Sequence, residues 1–228
     1  MIFYYFIQLI FCIILNLMSE NTENSIKIIL LGESGVGKTN LINIFVGKPF
    51  DPNSLSSISS TYSNGSFKLQ DKEYSYVLWD TAGQESYRSL NKIFMKNAKV
   101  IIFVYAIDNE KTFNELDYWI DSALQEIKGN YVMGIIGNKC DLFDDQKVTD
   151  EEAEAYAQKK RMKLKFTSAM KDPMGVKLFI NELISDYING KYRINKSIED
   201  EENKEKASRE SKKSFFLDET RKKKNKCC

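Results

Sequence analysis

The sequence contains no histidine among its 228 residues. This absence excludes Ser-His-Asp triads, Cys-His nucleophile pairs and imidazole-ligated metal sites. Its four cysteines are Cys12, Cys140, Cys227 and Cys228, a spacing that fits neither a disulfide framework nor a zinc site. We therefore expect a reducing compartment. An excess of positive charge is also missing, since the net charge is +1, and we expect no nucleic acid among the partners.

Charge is absent from the first 18 residues. As a helix they would span about 27 Å, slightly less than a hydrocarbon core of about 30 Å. They lack the basic flank and the A-x-A cleavage site of a secretory signal, because the first lysine is Lys27 and no alanine precedes residue 31. Our hypothesis is that residues 1–17 are an extension upstream of a true start at Met18. A membrane anchor and a cleaved signal remain alternatives, and detection of a peptide spanning residues 5–17 in native protein would refute the hypothesis.

From residue 25 onward, apolar runs alternate with segments of helical period. Strands are predicted in SIKIILLGE, KVIIFVYAID, YVMGIIGNKCD and MKLKFTSA, and as a pair around a polar turn at residues 70–72 in GSFKLQDKEYSYVLWD. Helices are predicted in GKTNLINIF, EKTFNELDYWIDSALQEI, residues 150–159 and GVKLFINELISDYI. The alternation predicts an α/β fold with a six-stranded, mostly parallel sheet that helices cover on both faces.

The apolar pattern stops after Ile188. We predict a folded domain over residues 25–190 and a disordered, charged tail over residues 191–228. Beyond residue 194, apolar residues of the kind that form cores are confined to Ile198 and the run Phe215, Phe216 and Leu217.

Residues 32–39 read GESGVGKT and fit the pattern G-x-x-x-x-G-K-[ST]. The backbone N–H groups of such a loop surround phosphates, and the positive end of the following helix faces the same anion. Lys38 would add charge at the β- and γ-phosphates, and the Thr39 hydroxyl would bind Mg²⁺. The alternative is a chance glycine-rich turn, but the motif follows a predicted strand and opens a helix, which favours phosphate binding.

Residues 79–85 read WDTAGQE and follow the next long strand. Asp80 can hold Mg²⁺ through water, Gly83 offers a backbone N–H to a γ-phosphate, and Gln84 can orient an attacking water. Taken alone, this motif is a weak signal, and the alternative is a helix N-cap and turn.

Two further motifs follow later strands, NKCD at residues 138–141 and TSAM at residues 167–170. The Asp141 carboxylate would accept from N1–H and the exocyclic amine of guanine, a donor pair that adenine lacks. A backbone N–H in the second motif could meet the guanine O6. Each signal is weak alone, but all four motifs end predicted strands, and that edge is where open α/β sheets bind ligands. Together they predict a guanine-nucleotide site.

Over about residues 25–188 the sequence resembles the small GTPases of the Ras superfamily, and within it the Rab family. The resemblance is carried by GESGVGKTN, WDTAGQESYRSL, VYAIDNEKTFNEL and GNKCDL, and the terminal CC adds to it. It implies the P-loop NTPase, small-GTPase fold, with Mg²⁺ as cofactor and GTP or GDP as ligand.

The resemblance also implies a role for each matching residue. The residues implied in phosphate binding are Gly32, Ser34, Gly35, Val36, Gly37, Lys38, Thr39, Asn40 and Gly83. Those implied in guanine binding are Phe50, Asn138, Lys139, Asp141, Ser168 and Ala169. Thr39, Ser57 and Asp80 are the implied metal site, and Gln84 and Lys38 the implied catalytic pair.

The sequence departs from the family pattern in the first switch loop. Counting from Thr39 places Ser57 where the family usually has threonine, and serine keeps the hydroxyl. The following residues of the loop, 59–61, read SST where the family usually has Gly, Val and Asp, so the surface that partners read is altered. Phe50 falls where the family has an aromatic ring against guanine, with ordinary packing as the alternative. Met170 replaces a usual lysine.

The resemblance implies a switch that hydrolyses GTP to GDP and phosphate, slowly without an activating protein, and recruits effectors in vesicle trafficking. A nucleotide-binding scaffold with negligible turnover is the alternative, and an integral membrane protein anchored by the first 18 residues is a weaker one. The expected protein partners are an exchange factor, an activating protein, effectors, and the prenylation and escort machinery.

The end of the chain reads RKKKNKCC, with five Lys or Arg residues among positions 221–226. The final pair, Cys227 and Cys228, resembles the Rab geranylgeranylation site, and lipid plus a basic patch suffices for stable anchoring. The alternative is two free thiols on a solvated tail. We expect the protein on the cytoplasmic face of an intracellular membrane, cycling with the cytosol.

Overall fold

The computed structural model describes residues 25–52, 61–80 and 94–194. Features predicted at other positions, including the apolar N-terminal run and the charged tail beyond residue 194, lie outside the described residues. Within the three described ranges, no helix has the length and hydrophobicity needed to cross a bilayer.

Strands and helices alternate along the chain as the sequence predicts. The strands are β1 (Ile26–Leu31), β2 (Thr61–Leu69), β3 (Lys72–Asp80), β4 (Val100–Ala106), β5 (Asn130–Asn138), β6 (Lys163–Phe166) and β7 (Arg193–Ile194). The helices are α1 (Lys38–Phe45), α2 (Glu110–Asn114), α3 (Leu116–Glu126), α4 (Asp150–Lys160) and α5 (Pro173–Ile188), with a 3₁₀ helix at Cys140–Asp145.

The main sheet has the strand order β2-β3-β1-β4-β5-β6, and only β2 is antiparallel to its neighbour. This arrangement confirms the predicted six-stranded, mostly parallel sheet. A seventh strand, β7, pairs antiparallel with Asn130 and Tyr131 at the start of β5. It lies just beyond the domain end predicted at residue 190, because two residues are too short to show a periodic pattern.

The central strand β4 supplies both layers of the core, because alternate side chains of a strand face opposite sides of the sheet. Ile101, Phe103 and Tyr105 belong to the layer that α2, α3 and α4 cover. Val100, Ile102 and Val104 belong to the layer under α1 and α5. All seven residues of β4 are buried, which explains its uninterrupted apolar sequence.

Helix boundaries differ from the predictions in two places. The segment predicted as one helix from residue 110 is divided at Glu115, which caps both α2 and α3. Helix α5 begins two residues before the predicted GVKLF segment, since Pro173 suits the first helical turn and the Asp172 carboxylate accepts from Gly175 N at 2.9 Å.

We expect Gly134→Ala to lower the free energy of unfolding by about 1–3 kcal/mol, because β5 packs tightly against α5 at this position. A Cβ at Gly134 would lie 2.8 Å from Leu183 Cδ1 and 3.1 Å from Phe179 Cζ. Urea unfolding measures the change. Leu183→Ala opens the space, so the double variant should lose less than the sum of the two single losses. Additive losses would contradict overpacking as the cause.

Candidate functional site

The phosphate loop between β1 and α1 depends on two glycines. A Cβ at Gly32 would lie 2.1 Å from the Val104 carbonyl oxygen, so no other residue lets the chain pass β4 this closely. Gly37 has φ +95°, and a Cβ there would lie 2.4 Å from Asn138 Nδ2. Strand, loop and helix therefore stand in the arrangement that the sequence predicts for residues 32–39.

Lys38 opens α1 and is buried. Its ammonium donates to the carbonyl oxygens of Gly32 and Glu33, each at 2.8 Å. These two bonds hold a positive charge beside the loop at the N-terminus of α1, where backbone N–H groups already favour anions. A buried positive charge and the N-terminus of a helix therefore lie side by side at this loop.

The Thr39 hydroxyl donates to the Asp80 carboxylate across the loop, with 3.4 Å between Thr39 Oγ1 and Asp80 Oδ1. Thr39 lies in the first turn of α1, and the buried Asp80 ends β3. Two hard oxygen donors therefore meet beside the loop, which is the ligand type that Mg²⁺ prefers. The third predicted ligand, Ser57, lies outside the described residues.

Asn138 connects the phosphate loop to the loop after β6. Its Nδ2 donates to the Val36 carbonyl oxygen at 2.8 Å, and its Oδ1 accepts from the Ala169 backbone N–H at 3.1 Å. The side chain is only 2% exposed. Asn138 therefore connects two of the predicted motifs. In this structure the Ala169 N–H, a possible donor to guanine, donates to Asn138.

Asp141 is oriented by the neighbouring loop. The Ser168 hydroxyl donates to Asp141 Oδ1 and itself accepts from the backbone N–H groups of Met170, at 3.2 Å, and Lys171, at 3.0 Å. Ser168 is buried, so this network holds the carboxylate in one orientation. The Ser168 side chain therefore positions the Asp141 carboxylate.

Lys139, between these two motif residues, adopts the left-handed conformation with φ 67° and ψ 35°. This backbone turns the chain from β5 into the 3₁₀ helix. Its ammonium lies 3.5 Å from Asp108 Oδ1, in an ion pair that the motif alone does not reveal.

The remaining predicted residues fall into two groups. Within the described ranges, the Asn40 side chain bonds the backbone of Asp51 in both directions, with Nδ2 to O at 3.0 Å and N to Oδ1 at 2.9 Å. This pair fastens the loop that carries Phe50, whose half-buried ring packs against the core under α1 and α5. Besides Ser57, the predicted residues outside the described ranges are Gly83, Gln84, Cys227 and Cys228.

One contact at the phosphate loop was not predicted from the sequence. Trp119 on α3 donates from Nε1 to Glu33 Oε1 at 3.3 Å, although 86 residues separate them. Glu33 also accepts from Lys38 through its carbonyl, so the contact links α3 to the residue that holds the lysine. Glu33 occupies a position at which the loop pattern allows any residue, and Trp119 occupies an apolar position of a helix. Neither position therefore indicates that the two residues are in contact.

The family model described as the Ras family matches residues 27–189. The chain belongs to the Ras family. Membership implies GTPase activity in general, with GTP or GDP and Mg²⁺ as ligands.

The similar curated proteins carry Rab names, which indicates the branch of the Ras family to which this chain belongs. Ras-related protein Rab-22A of Homo sapiens is 37% identical over 132 residues, 58% of this chain and 68% of its own length. RABF2a of Arabidopsis thaliana is 36% identical over 151 residues, covering 66% and 76%. Rab-11B of Dictyostelium discoideum is 34% identical over 159 residues, covering 70% and 72%. The Ras-family chain is thus a divergent Rab small GTPase, as its motifs predict.

We expect Asn138→Ala to lower the free energy of unfolding by about 1–3 kcal/mol, because it leaves the Val36 carbonyl and the Ala169 N–H without a buried partner. Urea unfolding measures the loss. Asn189→Ala makes the same change at an exposed position after α5 and should shift stability by no more than about 0.5 kcal/mol. Equal effects in the two variants would argue against the bridge.

We expect the Cys140 thiol to react slowly with a disulfide reagent. Burial and nearby carboxylates, including Asp150 and Asp141, raise the pKa of this thiol to about 11. At pH 8 the reactive thiolate is therefore scarce, and the rate should be about a hundredfold below that of the urea-unfolded chain. Cys140→Ala identifies the slow phase by removing it. The rate should rise about tenfold per pH unit from 8 to 10, and levelling near pH 8.5 would contradict the shift.

Proposed function

We propose that this Rab GTPase hydrolyses GTP to GDP and phosphate, and that it acts as a membrane-attached switch that recruits effectors in vesicle trafficking. The observation that carries the proposal is the bridge from Asn138 to Val36 and Ala169. It brings the phosphate loop, the NKCD segment and the loop after β6 to one edge of the sheet. A nucleotide that spans from phosphates to base requires this juxtaposition.

The choice of guanine rests on Asp141 and its orientation by Ser168. A carboxylate held in this way accepts from the N1–H and exocyclic amine of guanine. Adenine offers no such donor pair, so its binding would leave Asp141 without the two hydrogen bonds that guanine supplies. Phe50, on the loop fastened by Asn40, is proposed to lie against the base.

Phosphate binding rests on the backbone of the loop and on Lys38. The Thr39 hydroxyl and the Asp80 carboxylate fit a magnesium site and would hold the ion, with Ser57 as the further proposed ligand. When bound, Mg²⁺ would neutralise charge on the phosphate oxygens. Lys38 would orient the β- and γ-phosphates from its position between the Gly32 and Glu33 carbonyls.

Turnover would depend on positioning and on charge stabilisation rather than on a covalent intermediate. Gln84 is proposed to orient the attacking water, and the Gly83 N–H to contact the γ-phosphate. The described residues offer Arg161 and Arg193 as arginines, and Arg193 donates to carbonyl oxygens at the end of α4, including that of Lys160. Neither lies in a phosphate-binding motif, and no motif gives a role to Arg88, which follows Gln84 in the sequence. We therefore propose slow intrinsic hydrolysis that an activating protein accelerates.

The membrane part of the proposal rests on the end of the sequence. Cys227 and Cys228 would carry prenyl groups, and the adjoining basic residues would favour an anionic cytoplasmic leaflet. Prenylation and escort machinery, an exchange factor, an activating protein and effectors are the proposed partners. The chain would cycle between an intracellular membrane and the cytosol.

A scaffold that binds nucleotide without turnover is the second candidate. The observation that favours it is the altered sequence of the first switch loop, SST at residues 59–61 next to Ser57. The hydroxyl of Ser57 and the presence of Gln84 favour hydrolysis instead.

Phosphate release from the GTP-loaded full chain tests the two candidates. Gln84→Leu should lower the rate by about tenfold or more, equivalent to roughly 1.4 kcal/mol of transition-state stabilisation, because leucine cannot orient water. Gln158→Leu makes the same change on the exposed surface of α4 and should leave the rate unchanged.

Three outcomes separate the possibilities. Magnesium-dependent turnover that Gln84→Leu impairs supports the switch. Binding of GTP and GDP without turnover, even with an activating protein, supports the scaffold. Failure to bind guanine nucleotides, or equal affinity for ATP, would refute both.

A further inference from the structure

An apolar groove lies between the loop after α1 and the start of α5. Its volume is about 420 Å³. Ile44, Pro49, Phe50, Met170 and Pro173 supply apolar lining, and Lys48 and Lys177 add two positive charges. The groove therefore offers an apolar floor together with cationic side chains.

The surface beside this groove is also apolar. Met170 is 43% exposed, and Met174 and Leu178 on α5 are 65% and 61% exposed. Met174 follows Pro173 in the lining, and Leu178 lies one turn further along the helix. We call these three residues and the lining together the α5 groove. Exposed apolar side chains beside an apolar groove indicate an interaction site.

We propose that residues 215–219 of this chain, Phe-Phe-Leu-Asp-Glu, dock in the α5 groove. The three apolar residues interrupt an otherwise charged tail, and two carboxylates follow them directly. The apolar side chains match the methionine- and proline-lined floor. Asp218 and Glu219 match Lys48 and Lys177. The groove is therefore complementary to both the apolar and the acidic residues of the segment.

The length of chain before the segment fits the distance it must cover. Strand β7 ends at Ile194, shortly after α5 ends, whereas the groove lies at the opposite end of this helix. The 16 residues of α5 span about 24 Å. Residues 195–214 are 20 residues, and a flexible chain of that length has an r.m.s. span of about 25 Å. A linker whose span matches the separation gives the highest effective concentration, so even a weak contact becomes populated.

Docking would place the tail against the loop that carries Phe50. This loop is fastened to α1 through the Asn40 and Asp51 bonds. If Phe50 lies against guanine, as the proposed function holds, the docked segment restrains that ring and slows GDP release. This consequence rests on the proposed function, whereas the docking itself does not.

Methionine methyl NMR of the full chain tests the docking directly. Met170 and Met174 belong to the groove, while Met95, Met133 and Met162 lie in the core layer on the other face of the sheet. Replacing Phe215, Phe216 and Leu217 together by serine should shift the Met170 and Met174 signals and leave the three core signals unchanged. Ile198→Ser, elsewhere in the tail, is the matched control and should shift none of them. Met170→Leu and Met174→Leu assign the two signals.

The outcomes decide the proposal. Shifts that are independent of protein concentration, and that a peptide of residues 211–220 reverses when added to the triple variant, support docking within one chain. Unchanged Met170 and Met174 signals would overturn it. Shifts that vanish on dilution would assign the groove to the tail of a second copy and would also overturn it.

GDP release gives a separate readout. The triple variant should release a fluorescent GDP analogue about twofold faster or more, whereas Ile198→Ser should not. An unchanged release rate alongside shifted methyl signals would refute only the link to Phe50. A chain that binds no GDP would refute the proposed function, and the methyl signals would still report on docking.

Discussion

The buried amide of Asn138 is the contact on which the site depends. It ends β5, donates to the carbonyl of Val36 in the phosphate loop and accepts from the N–H of Ala169 after β6. Asn138 is buried, so both bonds must be present for the folded state to avoid unpaired polar groups. One side chain therefore connects the phosphate loop to the segments that we propose read the base.

The sheet makes this bridge possible. Parallel strands β1, β4, β5 and β6 end at the same edge, so loops distant in sequence become neighbours. The fully buried β4 at the centre gives each face its own apolar layer and leaves polar side chains to the edge. The closeness of Gly32 to the Val104 carbonyl belongs to the same packing, because a loop beside a central strand has no space for a side chain.

Some of the site could be predicted from the sequence, and the rest could not, for an identifiable reason. The motifs that end predicted strands include the loop glycines, Lys38, Thr39 and Asp80. The structure brings these residues together. Side-chain partners across the fold are different, since no spacing marks them. The Trp119 bond to Glu33, the Asp108 pair with Lys139 and the Asn40 bonds to Asp51 each join separate segments.

The sequence by itself determined the class of fold, the order of strands and helices, and the kinds of chemistry at the sheet edge, because these follow from local periodicity and from motifs within a few residues. Tertiary structure alone decided which donor meets which acceptor. In the folded protein the Ala169 N–H donates to Asn138, and the Ser168 hydroxyl orients Asp141. Met174 and Leu178 remain exposed beside a groove. Such choices depend on distances between segments far apart in the chain, and packing sets those distances.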